Sequence, residues 1–305
     1  MMALLKAAGI RSHPVLIDPG ERRYPMIVDF PNNQFTHVIL CVPSESDTIW
    51  LECTSQSFPV SHIGRGNDNH YALLLTEEGG KVIRTPASRS SENTQLRVGV
   101  AELQQTGNAH ARVYMTYAGC QRDRVHGALD NRSPEEQQRW LIQSLDIAHG
   151  NLDHYEIGNL ATRDPKFSLM LELSLPRFAT STGNRLFFYP GAMERQTWVP
   201  PESKDRRSIL IVSEYAYMDS DSIVYKIPST YTVEALPAGV QLETSFGSFA
   251  SSTEPAGENL LVFRRRVEIR TPQIPAAHYD ECRNFFAEVA KSDRSQVVLI
   301  RKASR

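Results

Sequence analysis

The feature that most constrains the fold is a series of short segments in which apolar and polar residues alternate. Two of them, 94–103 and 109–117, flank a polar turn at 104–108, which is typical of a β-hairpin. Similar segments follow at 153–162, 166–175, 207–215, 222–227, 231–236, 240–244, 259–269 and 296–301. Short strands at this spacing, with Gly, Pro and Asn turns between them, predict a sandwich of antiparallel sheets.

Two helices are expected within this β-rich part. Ser133, Pro134 and Glu136 form the pattern of a serine cap, a proline in the first turn and a glutamate that closes a capping box. This helix is expected to end near Gly150, and the second is expected at 278–290. The polar stretch 87–93 is the sharpest change of composition along the chain. We place a domain boundary there, which divides the chain into residues 1–86 and 87–305.

Composition and charge exclude several functional classes. Of the 305 residues 41% are hydrophobic and 22% are charged, as in an ordinary globular protein, and the formal net charge of −2 gives no indication of nucleic-acid binding. No apolar run is long enough for a transmembrane helix. The four cysteines (Cys41, Cys53, Cys120 and Cys282) are widely separated, which indicates neither a disulfide framework nor a zinc site. We predict no cofactor and no bound metal.

A further pair of strand-like runs, 35–42 and 49–54, carries the candidate site. His37 lies on the first run and Glu52 on the second. Side chains alternate between the faces of a strand, so an imidazole and a carboxylate can lie side by side if the two strands pair. A carboxylate next to a histidine fixes its tautomer and stabilises its charged form, as a general base requires. Taken alone, the pattern also fits a structural core histidine near a solvated glutamate.

The first residues have the pattern of the end of a helix. Met1, Leu4, Leu5 and Ala8 fall on one helical face, and Gly9 stands where a left-handed residue would end the helix. No capping residue precedes the run, and a helix this short needs tertiary support. We therefore expect the sequence to begin inside a domain.

The segments 3–10, 14–17, 35–38 and 50–54 together resemble the later half of a transglutaminase-like domain. The resemblance is carried by the Ala-Gly-Ile end of the first helix, the Phe-Thr-His-Val strand and the Trp-Leu-Glu-Cys-Thr run. Segments 223–228, 236–237, 246–249 and 279–289 are similar to the C-terminal sandwich of bacterial multidomain proteins that contain such a core. The implied fold is α+β: the C-terminal half of a papain-like or transglutaminase-like core, a helix plus an antiparallel sheet, followed by a β-rich sandwich domain with two helices.

The resemblance implies a cysteine acyltransferase or hydrolase that acts on an amide bond of a protein or peptide through a thiol acyl-enzyme. His37 takes the place of the catalytic histidine and Glu52 that of its orienting carboxylate, where most members have aspartate. The nucleophilic cysteine is expected about two helical turns before Met1, so the chain as given is expected to be inactive. The resemblance also implies an exported or periplasmic protein.

The cysteines present are poor substitutes for that nucleophile. Cys41 shares a strand face with His37 but lies about 13 Å further along it. Cys53 is expected to face away from Glu52, Cys282 to face a helix core, and Cys120 to lie in a loop with nothing to activate it. His62 and His70 flank a glycine-containing loop and offer only a weak alternative as metal ligands.

The sequence is also compatible with a function of a different class. More than two thirds of the chain lies outside the candidate site. The alternative is a non-catalytic binding or assembly protein, in which the β-sandwich contacts a cell-envelope polymer or a protein partner.

Overall fold

The computed structural model describes residues 1–20, 27, 34–45, 47–145, 150–193, 195–202 and 210–303. Its helices are α1 (Met2–Ala7), α2 (Gly119–Leu129), α3 (Pro134–Ser144) and α4 (Tyr279–Asp293). Its strands are β1 (His13–Ile17), β2 (His37–Pro43), β3 (Thr48–Leu51), β4 (Tyr71–Thr76), β5 (Gly79–Arg84), β6 (Thr94–Leu103), β7 (Ala109–Ala118), β8 (Asn151–Gly158), β9 (Lys166–Leu175), β10 (Thr180–Thr182), β11 (Arg185–Phe188), β12 (Leu210–Ile211), β13 (Tyr217–Lys226), β14 (Tyr231–Ala235), β15 (Val240–Glu243), β16 (Gly247–Pro255), β17 (Leu260–Ile269), β18 (Gln273–Ile274) and β19 (Val297–Arg301). The expected sheet-rich α+β fold is confirmed.

The first part of the chain forms a five-stranded antiparallel sheet in the order β3-β2-β1-β4-β5. Val15, Ile17 and Ile39 are fully buried on one face, where Ile63 from the loop after β3 packs against them. Gly9 ends the short helix α1 with a φ of +74°, as expected for a left-handed residue. No residue of α1 is buried, and Leu4 is 71% exposed.

The rest of the chain forms an eight-stranded sheet (β15-β16-β17-β13-β6-β7-β9-β8), a four-stranded sheet (β10-β11-β19-β14) and the small pair β12-β18. The two larger sheets share one apolar core, which includes Val113 and Leu171 of the first sheet and Leu186 and Val297 of the second. One pairing departs from the expected antiparallel arrangement, because β6 and β13 run parallel. Parallel neighbours need a long connection, and here the strands β7 to β12 and the helices α2 and α3 lie between β6 and β13 in the sequence.

The structure adds a helix, α2, to the two expected after residue 87. The side chains that α2 buries include Gln121, Arg122 and His126, so its inward face lacks the apolar periodicity that marks a helix in sequence. The capping box at Ser133 and Glu136 is present. The predicted continuation of α3 through residues 146–149, and the start of the strand predicted at 207–215, lie outside the described residues. Within the described chain, no helix has the length and apolar character needed to cross a membrane.

The start of α2 depends on a glycine. Gly119 has a φ of +58°, and a Cβ there would overlap Asn93 Oδ1 and the Glu92 carbonyl oxygen. Gly119→Ala is therefore expected to destabilise the protein by about 2 kcal/mol. Gly127→Ala in the same helix is the matched control: a Cβ there meets nothing within 4 Å, so a gain of about 0.5–1 kcal/mol is expected. Urea unfolding of both variants measures the difference, and equal stabilities would contradict the prediction.

Candidate functional site

His37 and Glu52 meet at one end of the β2–β3 pair. Cys41 stands opposite Trp50 in this antiparallel pair, so Glu52, one residue past the end of β3, continues the register opposite Ile39. His37 is then a diagonal neighbour of Glu52 on the same face. The longer side chain of glutamate spans this offset, and Oε2 lies 2.7 Å from His37 Nε2. The structure thus brings together the two side chains that the sequence placed side by side.

The Glu52 carboxylate is buried, and both of its oxygens accept hydrogen bonds. Its side chain is 5% exposed. Oε1 accepts hydrogen bonds from the Thr54 backbone N (2.8 Å) and from Thr54 Oγ1 (2.6 Å), and Oε2 accepts one from Asn67 Nδ2 (3.1 Å). Burial raises the pKa of Glu52, but the hydrogen bonds from Thr54 and His37 together outweigh it and leave the pKa below its ordinary value. Glu52 is therefore ionised at neutral pH and can stabilise an imidazolium.

Glu52→Gln is expected to lower the free energy of unfolding by about 1–2 kcal/mol at pH 7. A carboxyl group whose pKa is lowered by folding contributes stability above its unfolded pKa of about 4.3, and this contribution disappears as the pH falls through the folded pKa. The difference between wild type and Glu52→Gln should therefore shrink on acidification from pH 7 to about pH 3. Urea titrations at both values test this. An unchanged difference would contradict it.

The pair opens onto a cleft of about 510 Å³ whose walls come from two parts of the chain. His37, Glu52 and Phe58 line one side, and Asp123 and Arg124 of α2 line the other. The Glu52 carboxylate only accepts hydrogen bonds, so His37 Nε2 carries the proton between them. Among the described residues, none forms a hydrogen bond with His37 Nδ1. That nitrogen is the one available to exchange a proton with a bound molecule.

The cleft has no cysteine among its described lining residues. Cys41 and Cys282 are buried, and Cys53 is exposed. Cys120 lies in the first turn of α2 and not in the loop that the sequence predicted; it lines a neighbouring cavity that His62 also lines. Burial raises the pKa of all four thiols, that of Cys282 to about 11. None has the lowered pKa of a reactive cysteine.

Several residues around the site carried no signal in the sequence. Asn67 is the last residue of a single 3-10 turn (Arg65–Asn67), fifteen positions after Glu52, and nothing in its local sequence marks it. The sequence offered His62 and His70 as a weak alternative for metal ligands. In the structure, His62 Nε2 lies 2.5 Å from Asp123 Oδ2 instead. The ring nitrogens of His70 contact the backbone carbonyls of Asp68 and Gly20. Among the residues that the structure describes, no group of three or more His, Cys, Asp or Glu side chains is placed to hold a metal ion.

Comparison with known proteins gives a partial match. Residues 184–299, less than half of the chain, match the family model described as "Domain of Unknown Function with solved-structure structure (DUF3858)". A crystal structure of a protein described as a candidate protease from Parabacteroides distasonis ATCC 8503 is similar, with 11% identity and a TM-score of 0.45 over 98% of this chain and 42% of that one. No curated protein matches the chain. The family match lies outside the segment that carries His37 and Glu52.

Proposed function

We propose that His37 and Glu52 are the acid–base pair of a transglutaminase-like cysteine acyltransferase or hydrolase that acts on amide bonds of proteins or peptides. The observation that carries the proposal is the 2.7 Å contact between His37 Nε2 and a buried carboxylate of lowered pKa. This contact holds the imidazole in one tautomer and leaves Nδ1 for proton transfer at the cleft.

The proposed reaction is a covalent acyl transfer. A thiolate attacks the amide carbonyl carbon, the C–N bond breaks, and the departing nitrogen takes a proton from His37 Nδ1. Glu52 stabilises the imidazolium before that transfer. The resulting thioester then reacts with water or with an amine. His37 removes the proton from this second nucleophile, and the thiolate leaves.

In this proposal the thiol belongs to a segment outside the 305 residues. None of the four cysteines of the chain lines the cleft, and burial raises the pKa of each thiol. The chain alone is expected to show no amide hydrolysis and no amine incorporation.

The test compares this chain with a longer product that includes any residues encoded before Met1. In the longer product, alkylation of one thiol at pH 7 should be fast, and His37→Ala should slow it by about tenfold or more, because the imidazolium partner is lost. His278→Ala is the control, since His278 pairs with Glu281 on the surface at α4. Equal alkylation rates in wild type and His37→Ala, or no fast thiol at all, would contradict the proposal.

The outer face of the eight-stranded sheet supports a second candidate function, the binding of a protein or a cell-envelope polymer. Val98 (57% exposed), Leu96 (42%) and Val100 (37%) stand on β6, and Tyr114 of β7 (55%) lies opposite Val98. Exposed apolar side chains grouped on neighbouring strands are typical of interaction surfaces. Val98→Ser with Tyr114→Ser should abolish pull-down of the full chain by peptidoglycan, and undiminished retention of the variant would contradict this use of the patch.

A further inference from the structure

The loop that follows Glu52 is held by hydrogen bonds from α2 and from the turn between β8 and β9, which are not part of the five-stranded sheet. Arg122 of α2 is 1% exposed. Its Nη2 donates to the carbonyl oxygens of Ser57 (3.0 Å) and Thr162 (3.2 Å), and its Nε donates to that of Asp164 (2.8 Å). Arg163 Nε donates to the Gln56 carbonyl oxygen at 2.8 Å. Hydrogen bonds therefore connect residues 56 and 57 to α2 and to the turn between β8 and β9.

A second contact between α2 and this loop lies beside the first. His62 Nε2 is 2.5 Å from Asp123 Oδ2, and their side chains are 21% and 10% exposed. The ring of Phe58 packs on His62 with centroids 5.1 Å apart. Arg122 Nη1 lies 3.5 Å from the other oxygen of Asp123. The Asp123 carboxylate therefore contacts both the loop histidine His62 and the buried Arg122 of its own helix, and we expect these contacts to restrain the loop.

The far end of the same loop supports the carboxylate. Ile63, next to His62, packs in the core of the five-stranded sheet with Ile39. Asn67 Nδ2 donates both to the Ile63 carbonyl oxygen (2.8 Å) and to Glu52 Oε2 (3.1 Å). A continuous chain of contacts thus runs from Asp123 through the loop to Glu52.

We propose that α2 is part of the working site, and that Arg122, Asp123 and His62 are positioning residues that hold loop 55–67 so that Asn67 orients Glu52 toward His37. The inference rests on the proposed function of the His37–Glu52 pair and deepens it. α2 also supplies one wall of the cleft through Asp123 and Arg124. Residues after 87 are then needed for the geometry of the site.

The experiment follows the ring signals of His37 by NMR in the full chain with isotope-labelled histidine. Asp123→Asn removes the carboxylate of the His62–Asp123 contact, and His62→Gln removes its imidazole. Both variants should move the His37 ring signals at constant pH, and the amide hydrogen of Thr54, which bonds to Glu52, should exchange about tenfold faster than in wild type. Glu281→Gln is the matched control: it removes another histidine–carboxylate pair, with His278 at 2.9 Å, and should change only His278.

The variant Glu52→Gln distinguishes two negative outcomes: that the positioning role is wrong, or that the His37–Glu52 pair itself is wrong. If Glu52→Gln moves the His37 ring signals while folded Asp123→Asn and His62→Gln leave them unchanged, the positioning role is wrong and the acid–base pair stands. If Glu52→Gln itself leaves the His37 signals unchanged, the proposed pair is wrong. If Asp123→Asn does not fold, His62→Gln decides alone, because it alters a loop side chain and leaves α2 intact.

Discussion

Arg122→Met should destabilise the protein by about 3–5 kcal/mol, a loss typical of buried charged groups whose partners are left behind. Methionine replaces the aliphatic part of the side chain but has no N–H donor. The carbonyl oxygens of Ser57, Thr162 and Asp164 would lose the donors they have in the wild type. A buried acceptor that loses its donor is destabilising by about 1–3 kcal/mol.

Urea unfolding measures the loss, with Arg124→Met as the control. Arg124 is exposed on the same helix, and its replacement is expected to change stability by no more than about 0.5 kcal/mol. Arg122→Met should also raise amide exchange in loop 55–67 before global unfolding. A variant within 1 kcal/mol of wild type would show that Arg122 does not hold this loop.

The second large effect is expected at the buried ion pair between β17 and α4. Arg265 Nε and Nη2 each donate to Asp293 at 2.9 Å, and the Gln196 backbone N donates to the same carboxylate at 2.8 Å. The two charged side chains are 4% and 2% exposed. Asp293→Ala would leave Arg265 buried without this partner, and we expect a loss of about 3–5 kcal/mol.

A double-mutant cycle isolates the pair. Arg265→Met with Asp293→Leu replaces both charges by apolar groups, so the double variant should be more stable than the sum of the single losses implies. Chemical denaturation of the four proteins gives the coupling energy. If the stability losses of the two single variants add up to the loss of the double variant, the two side chains do not stabilise each other.

Local sequence signals were sufficient for many elements. β6 and β9 have the bounds that alternation predicted, 94–103 and 166–175, and α3 begins at the predicted capping box. The proximity of His37 and Glu52 followed from alternation and strand pairing, which are also local rules. The division into residues 1–86 and 87–305 stays a prediction.

Other features depend on tertiary contacts and could not be predicted in this way. α2 buries Arg122 because carbonyl oxygens from distant loops surround its guanidinium. From the sequence alone, the polar residues on the buried face of α2 would be predicted to face solvent. β16 contains three serines, one glycine and a terminal proline, and it is a strand because β15 and β17 pair with it on either side. Asn67 reaches Glu52 only because the loop folds back over the sheet.

The parallel pairing of β6 with β13 has a consequence for how the protein folds. It joins residues 124 positions apart, as in the contact between Arg97 and Asp221. During synthesis, the edge of β6 stays unpaired until the ribosome has released β13, and closure of so long a loop slows folding. The family match at 184–299 contains β13 but not β6. Expressed alone, that segment would carry a bare β13 edge, which is a template for aggregation.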